Sequence, residues 1–126
     1  MAKEFTQKQI EKYKRQKYIN SLNKCTKNLF KLFRDKNTTY EKYKIKFISL
    51  KEELDKLDGV RLNSEHSKKT KEYIETLYTQ TVKNNNFTNR DFLEIKSAQL
   101  TKLNGLQKLK NRSKYSKEKY KKNFYD

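Results

Sequence analysis

The fold is decided by a helix start that reads Phe5-Thr6-Gln7-Lys8-Gln9-Ile10. Thr6 occupies the N-cap position, where its hydroxyl can accept a backbone N–H, and Gln9 three residues later completes a capping box. The apolar residues at the two ends of the stretch have the spacing of a hydrophobic staple. Residues 87–92 repeat the arrangement, with Asp91 in the place of the glutamine. The chain therefore contains at least two strong helix starts.

Apolar residues follow the first start mostly at three- and four-residue steps, the period of a helix with one buried face. The members of this stripe are Ile10, Tyr13, Tyr18, Leu22, Cys25, Leu29 and Phe33. Thr38 and Glu41 predict a second capping box, and the helix that follows ends at Gly59, which can take the left-handed conformation. Asn63 or Ser64 can cap a third helix.

Helices are predicted at about 6–34, 39–58, 64–83 and 89–110. Breaks as short as these keep neighbouring helices antiparallel, so we expect an all-α fold: a four-helix up-and-down bundle of two helical hairpins in residues 1–110. Residues 111–126 form a basic, aromatic C-terminal tail. The second helix also fits a short coiled-coil segment, which leaves an intermolecular zipper as the alternative.

Composition limits the compartment and the class of protein. The 126 residues carry 32 Lys and Arg against 15 Asp and Glu, a net charge of +17, with a single cysteine and no proline. No run of apolar residues exceeds two, which disfavours a transmembrane helix and a secretory signal. We expect a soluble, intracellular protein, cytoplasmic or within a nucleoprotein particle and not secreted.

The positive charge is concentrated at the two ends of the chain. Residues 1–34 have ten basic and two acidic side chains, and residues 87–126 have eleven and four, whereas residues 35–58 have six of each. An excess this large repels itself and is usually retained because an anionic partner neutralises it. In an even bundle the first and last helices are neighbours, so the two basic segments can merge into one face.

The candidate nucleic-acid-binding residues form two clusters. The first comprises Lys12, Lys14, Arg15 and Lys17, and the second comprises Lys108, Lys110, Arg112, Lys114, Lys117, Lys119, Lys121 and Lys122. Tyr115, Tyr120 and Phe124 lie within the second cluster, where they can stack on exposed bases or dock the tail onto the bundle. Lysines neutralise phosphates and release condensed counterions whatever the base sequence.

Residues that support catalysis are scarce. His66 is the only histidine, and no Cys or carboxylate spacing completes a metal site or a catalytic set with it. Cys25 is in register with the apolar stripe and is expected to act as a small hydrophobe. We expect neither an enzyme, nor a cofactor, nor a metal.

The sequence predicts a non-enzymatic nucleic-acid-binding structural protein of a nucleoprotein assembly, such as a ribosome-like particle or a viral or chromosomal packaging complex. It would bind RNA or DNA through the phosphate backbone, largely without sequence specificity, beside other proteins of the same assembly. One alternative is a helical interaction module or inhibitor that docks on an acidic partner. A second is a helix-turn-helix in which Asn89, Arg90, Lys96 and Gln99 read bases. The tail lacks Trp and a compact apolar face, so no membrane partner is expected.

Overall fold

The computed structural model describes the backbone of residues 6–125 and the side chains of residues 6–111, and within them it has four helices and no strand. The helices are α1 Gln7–Arg34, α2 Tyr40–Lys56, α3 Glu65–Thr81 and α4 Asn89–Tyr125. The predicted all-α class is confirmed. The division of the chain into a bundle and a tail after residue 110 stays a prediction, because the side chains of 112–126 lie outside the described residues.

Side-chain caps fix the starts of three helices where the sequence predicts them. Thr6 Oγ1 accepts the Gln9 N–H at 3.2 Å, and Gln9 Oε1 accepts the Thr6 N–H at 2.9 Å. Thr88 and Asp91 make the same reciprocal pair, at 3.2 and 2.9 Å, at the start of α4. Ser64 caps α3 by accepting from the backbone of Ser67. Each such cap stabilises its helix by about 1 kcal/mol.

The predicted capping box of Thr38 and Glu41 is wrong by one residue. The N-cap of α2 is Thr39, whose Oγ1 accepts the Lys42 N–H at 3.3 Å. Thr38 is buried and belongs to the preceding turn, where its N–H donates to the Asp35 carbonyl. Because this turn uses Thr38, the helix starts one residue later.

Side-chain contacts at the two ends of the bundle establish the up-and-down topology. At one end the last turn of α1 meets the first turn of α4, where the rings of Phe33 and Phe92 are 5.8 Å apart. At the same end Tyr43, near the start of α2, donates or accepts a 2.9 Å hydrogen bond with Thr81 at the end of α3. At the opposite end Lys71 of α3 binds Asp58, just after α2. Successive helices therefore run antiparallel.

The core is one cluster that takes side chains from all four helices. Its most completely buried large members include Leu22, Leu29, Tyr43, Phe47, Ile74 and Phe92. Burying an aliphatic or aromatic side chain of this size contributes about 1.5–3 kcal/mol, so the cluster is the main source of stability. The buried face of α2 is used inside this core, which excludes the intermolecular zipper.

The stripe of α1 is only partly buried. Ile10 and Tyr13, predicted to face the core, are 36% and 65% exposed. α1 has 28 residues, whereas α2 and α3 have 17 each, so the first turns of α1 extend past the ends of these two helices. Burial on α1 begins at Tyr18.

No helix, within the part of the chain that was searched, has a stretch long and apolar enough to cross a membrane.

Candidate nucleic-acid interface

Helices α1 and α4 are direct neighbours, and a groove of about 790 Å³ runs along their outer surfaces. We call it the α1–α4 groove. Its charged and amide-bearing lining residues are Asn20, Asn23, Lys24, Lys27, Asn28, Lys31 and Arg34 of α1, with Asn104, Gln107 and Lys110 of α4. Thr26, Phe30 and Leu103 complete the lining. The groove is built on helices that the core holds in place, so its geometry does not depend on a loop.

The α1–α4 groove is strongly positive. It contains five cationic side chains, and no carboxylate is among the described residues that line it. Lys24 reaches out of the groove to Glu53 of α2, with Nζ 3.2 Å from Oε2. Both partners are about half exposed, and such a pair contributes about 1 kcal/mol or less, so a phosphate can displace the carboxylate.

Uncharged groups in the α1–α4 groove add hydrogen-bonding capacity. Five of its residues carry side-chain amides, which can both donate and accept hydrogen bonds. Arg34 lies over the ring of Phe30, with its guanidinium carbon 5.6 Å from the ring centroid. This cation–π contact orients the guanidinium while leaving its N–H groups available to an anion.

The structure distributes the predicted basic residues over different surfaces. Lys110 lines the α1–α4 groove, and Lys108 is exposed but is not among the residues that line it. Lys12, Lys14 and Lys17 instead line a second groove, between the start of α1 and the α2–α3 connection. Arg15 holds that connection, because its Nε donates to the Arg61 carbonyl at 2.7 Å. The first predicted cluster therefore faces a different groove from Lys110.

Several predicted contacts fall where no side chain is described. These are Arg112, Lys114, Lys117, Lys119, Lys121 and Lys122, together with the candidate stacking residues Tyr115, Tyr120 and Phe124. They lie outside the described residues, and their role in binding stays a prediction.

Four cationic residues of the α1–α4 groove were not predicted from the sequence as binding residues: Lys24, Lys27, Lys31 and Arg34. A signal for them exists, since Asn20 and these four residues follow one another at steps of four, three, four and three. This is the helical period again, on a face other than the apolar stripe. A helical face that has basic and amide side chains but no Asp or Glu, next to a second basic helix, would have predicted a positively charged groove at this position.

Hydrogen bonds to other parts of the bundle engage three of the four residues that the helix-turn-helix interpretation proposed to read bases, whereas the fourth, Arg90, is exposed and pairs with Glu94 on its own helix. Gln99 is buried and accepts the Tyr73 hydroxyl at 2.7 Å, and Asn89 accepts the Tyr40 N–H at 2.9 Å. The Lys96 ammonium donates to the Asp35 carbonyl at 2.7 Å. These side chains hold α4 to its neighbours and are not presented to a base edge.

The described residues place no chemistry-bearing cluster near the groove. No group of three or more His, Cys, Asp or Glu among them is positioned to hold a metal ion. Cys25 is fully buried, and burial raises the pKa of its thiol to about 12. His66 is half-buried, and both its burial and the nearby Lys110 lower its pKa. The arrangement can bind anions through fixed charges and amides.

Comparison with protein-family models, with curated proteins and with solved structures found no match to this chain. Its function must be inferred from its own residues.

Proposed function

We propose that this protein is a non-enzymatic nucleic-acid-binding component of a nucleoprotein assembly. It binds the phosphate backbone of RNA or DNA along the α1–α4 groove, largely without reading sequence. The observation that carries the proposal is the concentration of five cationic side chains in one groove whose described lining has no carboxylate.

The character of these cations favours a polyanion over a small anion. Four of them are distributed along α1 from Lys24 to Arg34, a distance of about 15 Å at 1.5 Å per residue, and the fifth, Lys110, lies on α4. A single phosphate or carboxylate contacts one or two such groups, whereas a strand of nucleic acid presents a phosphate to each in turn. Release of the counterions condensed on the strand then supplies most of the binding free energy.

The uncharged lining is also suited to a nucleic acid. The amides of Asn20, Asn23, Asn104 and Gln107 can bond to sugar hydroxyls, phosphates or base edges. Lysine ammonium groups are point charges that hold a phosphate without fixing its orientation. Binding of this kind tolerates many sequences, which is the property required of a packaging or scaffold protein.

The test is direct binding of the full chain to nucleic acid. The protein is purified with nuclease and high salt, and its affinity for labelled single-stranded RNA, single-stranded DNA and duplex DNA is measured by fluorescence anisotropy at about 50 mM salt. We expect binding that varies little among sequences and weakens steeply with salt. If binding to all three probes is undetectable at this salt concentration, the proposal is wrong.

A further inference from the structure

The second groove differs in character from the α1–α4 groove. It encloses about 1070 Å³ between the first turns of α1 and the α2–α3 connection, and its apolar lining consists of Ile10, Tyr13, Leu57 and Val60. Ile10 and Tyr13 lie one helical turn apart, on the same face of α1. Two of the four large hydrophobic side chains that are exposed in the described part of the protein lie here. An apolar patch that the described side chains leave uncovered, on a chain this polar, is the kind of surface at which proteins bind partners.

The wall opposite α1 is fixed in position. Gly59 has φ of +97°, a conformation that turns the chain between Leu57 and Val60 and that other residues rarely adopt. The Asp58 carboxylate accepts the Gly59 N–H at 2.8 Å and the Lys71 ammonium at 3.0 Å. Together with the bond from Arg15 to Arg61, these contacts attach the connection to α1 and to α3. The groove is therefore preformed.

Charge around the second groove specifies its occupant. Lys12, Lys14, Lys17 and Lys56 surround the apolar residues, and Asp58 is the only acid among the described lining residues. Asp58 is already paired with Lys71, so the four ammonium groups face the groove without a compensating carboxylate there. A second copy of this chain, at +17, would be repelled.

We propose that the second groove binds the apolar face of an acidic amphipathic helix from another protein. The apolar residues of that helix would pack on Ile10, Tyr13, Leu57 and Val60, and its carboxylates would pair with the surrounding lysines. This is the helix-in-groove mode, in which residues one turn apart act as anchors. The chain would thus connect a nucleic acid on one surface with an acidic protein segment on another.

The test uses two synthetic fluorescein-labelled peptides of identical composition. In one, leucines recur at helical i, i+3, i+4 and i+7 positions among glutamates, and in the other the same residues are scrambled so that no apolar face forms. We expect the patterned peptide to bind the full chain at least about tenfold more tightly, since each buried leucine is worth about that factor. Equal affinity for both peptides would overturn the proposal, because charge alone would then explain binding.

Substitutions locate the binding surface. The double variant Ile10→Gln, Tyr13→Gln should weaken binding of the patterned peptide about tenfold or more, because both side chains are proposed anchors. The matched control is Ile45→Gln, Leu93→Gln, which removes two apolar side chains that are also exposed but lie outside the groove. Binding that survives the groove variant, or that falls equally in the control, would refute the assignment. Thermal unfolding followed by circular dichroism verifies that both variants remain folded.

Two further outcomes would also overturn the proposal. If sedimentation shows a wild-type dimer that the Ile10→Gln, Tyr13→Gln substitutions dissociate, a second copy of this chain occupies the groove. If this variant weakens binding of single-stranded RNA but not of the patterned peptide, the groove is part of the nucleic-acid surface. We expect the wild-type chain to be a monomer, and the Ile10→Gln, Tyr13→Gln substitutions to change its affinity for single-stranded RNA less than twofold.

Discussion

Neutralising part of the α1–α4 groove should change the salt dependence of nucleic-acid binding by a calculable amount. The triple variant Lys27→Gln, Lys31→Gln, Lys110→Gln removes three of the five groove cations. For a single strand, each phosphate contact adds about 0.7 to the slope of log K against log salt, so the slope should become shallower by about 2. Because log salt is zero at 1 M, a slope change of about 2 leaves the affinity at 1 M salt unchanged. At 0.1 M salt it lowers the affinity of the variant about 100-fold relative to the wild type.

The control variant is Lys42→Gln, Lys44→Gln, Lys46→Gln, which removes the same charge from exposed positions of α2. Both variants and the wild type are titrated with one labelled single strand at several salt concentrations, and the slopes are compared. The α2 variant should retain the wild-type slope within about 0.5, since only long-range attraction is reduced. Equal changes in the two variants would refute a localised site, because binding would then follow net charge alone.

Three further predictions concern the folded state. Cys25 is fully buried, and burial raises the pKa of its thiol to about 12. The thiol should therefore not react with a disulfide reagent at neutral pH until urea unfolds the protein. Immediate reaction of the folded protein would contradict the position of Cys25 in the core. Burial raises the pKa of Tyr43 above the value near 10 that the side chain has in the unfolded chain. The free energy of unfolding therefore keeps the full contribution of Tyr43 below pH 10, and above pH 10 it falls by up to about 1.4 kcal/mol per pH unit. Urea unfolding at alkaline pH should detect this loss together with that from Tyr18, Tyr73 and Cys25, whose pKa values burial also raises, and Tyr43→Phe should make the decline shallower; an unchanged pH dependence in the variant would assign the loss to the other groups. Gly59→Ala should destabilise the fold by about 1 kcal/mol, because residue 59 has a positive φ. Gly105→Ala should stabilise it by up to about 1 kcal/mol, because Gly105 lies in the helix interior with open space around it. A Gly59→Ala variant that melts at a higher temperature than the Gly105→Ala variant would be inconsistent with both conformations.

The helical elements were predictable because their signals are local. The Thr6 and Thr88 capping boxes bond residues three apart, so the atoms involved are specified by neighbouring letters of the sequence. Thr38 was assigned wrongly for a related reason. Two adjacent threonines can each cap a helix, and the choice between them depends on the turn at Asp35 and on the bond from the Tyr40 N–H to Asn89, a residue 49 positions away.

The candidate site was only partly predictable. The concentration of charge near both ends of the chain and the pairing of α1 with α4 follow from counting and from bundle topology. Which lysines share a groove does not, because that depends on how each helix is rotated and how far it extends past its neighbours. Lys12 and Lys14, on the first turns of α1, were predicted as binding residues, whereas Lys24 and Lys31 of the α1–α4 groove were not.

By itself, the sequence determined four amphipathic helices, their antiparallel order and the excess of positive charge, since periodicity, caps and composition are properties of neighbouring residues. Only the tertiary structure decided that Ile10 and Tyr13 stay exposed, because whether an apolar side chain is covered depends on which residues distant in sequence pack against it. It also decided that Gln99 and Asn89 bond inside the bundle. Packing therefore divides one basic chain into two surfaces, a charged groove along α1 and α4 and an apolar groove surrounded by lysines.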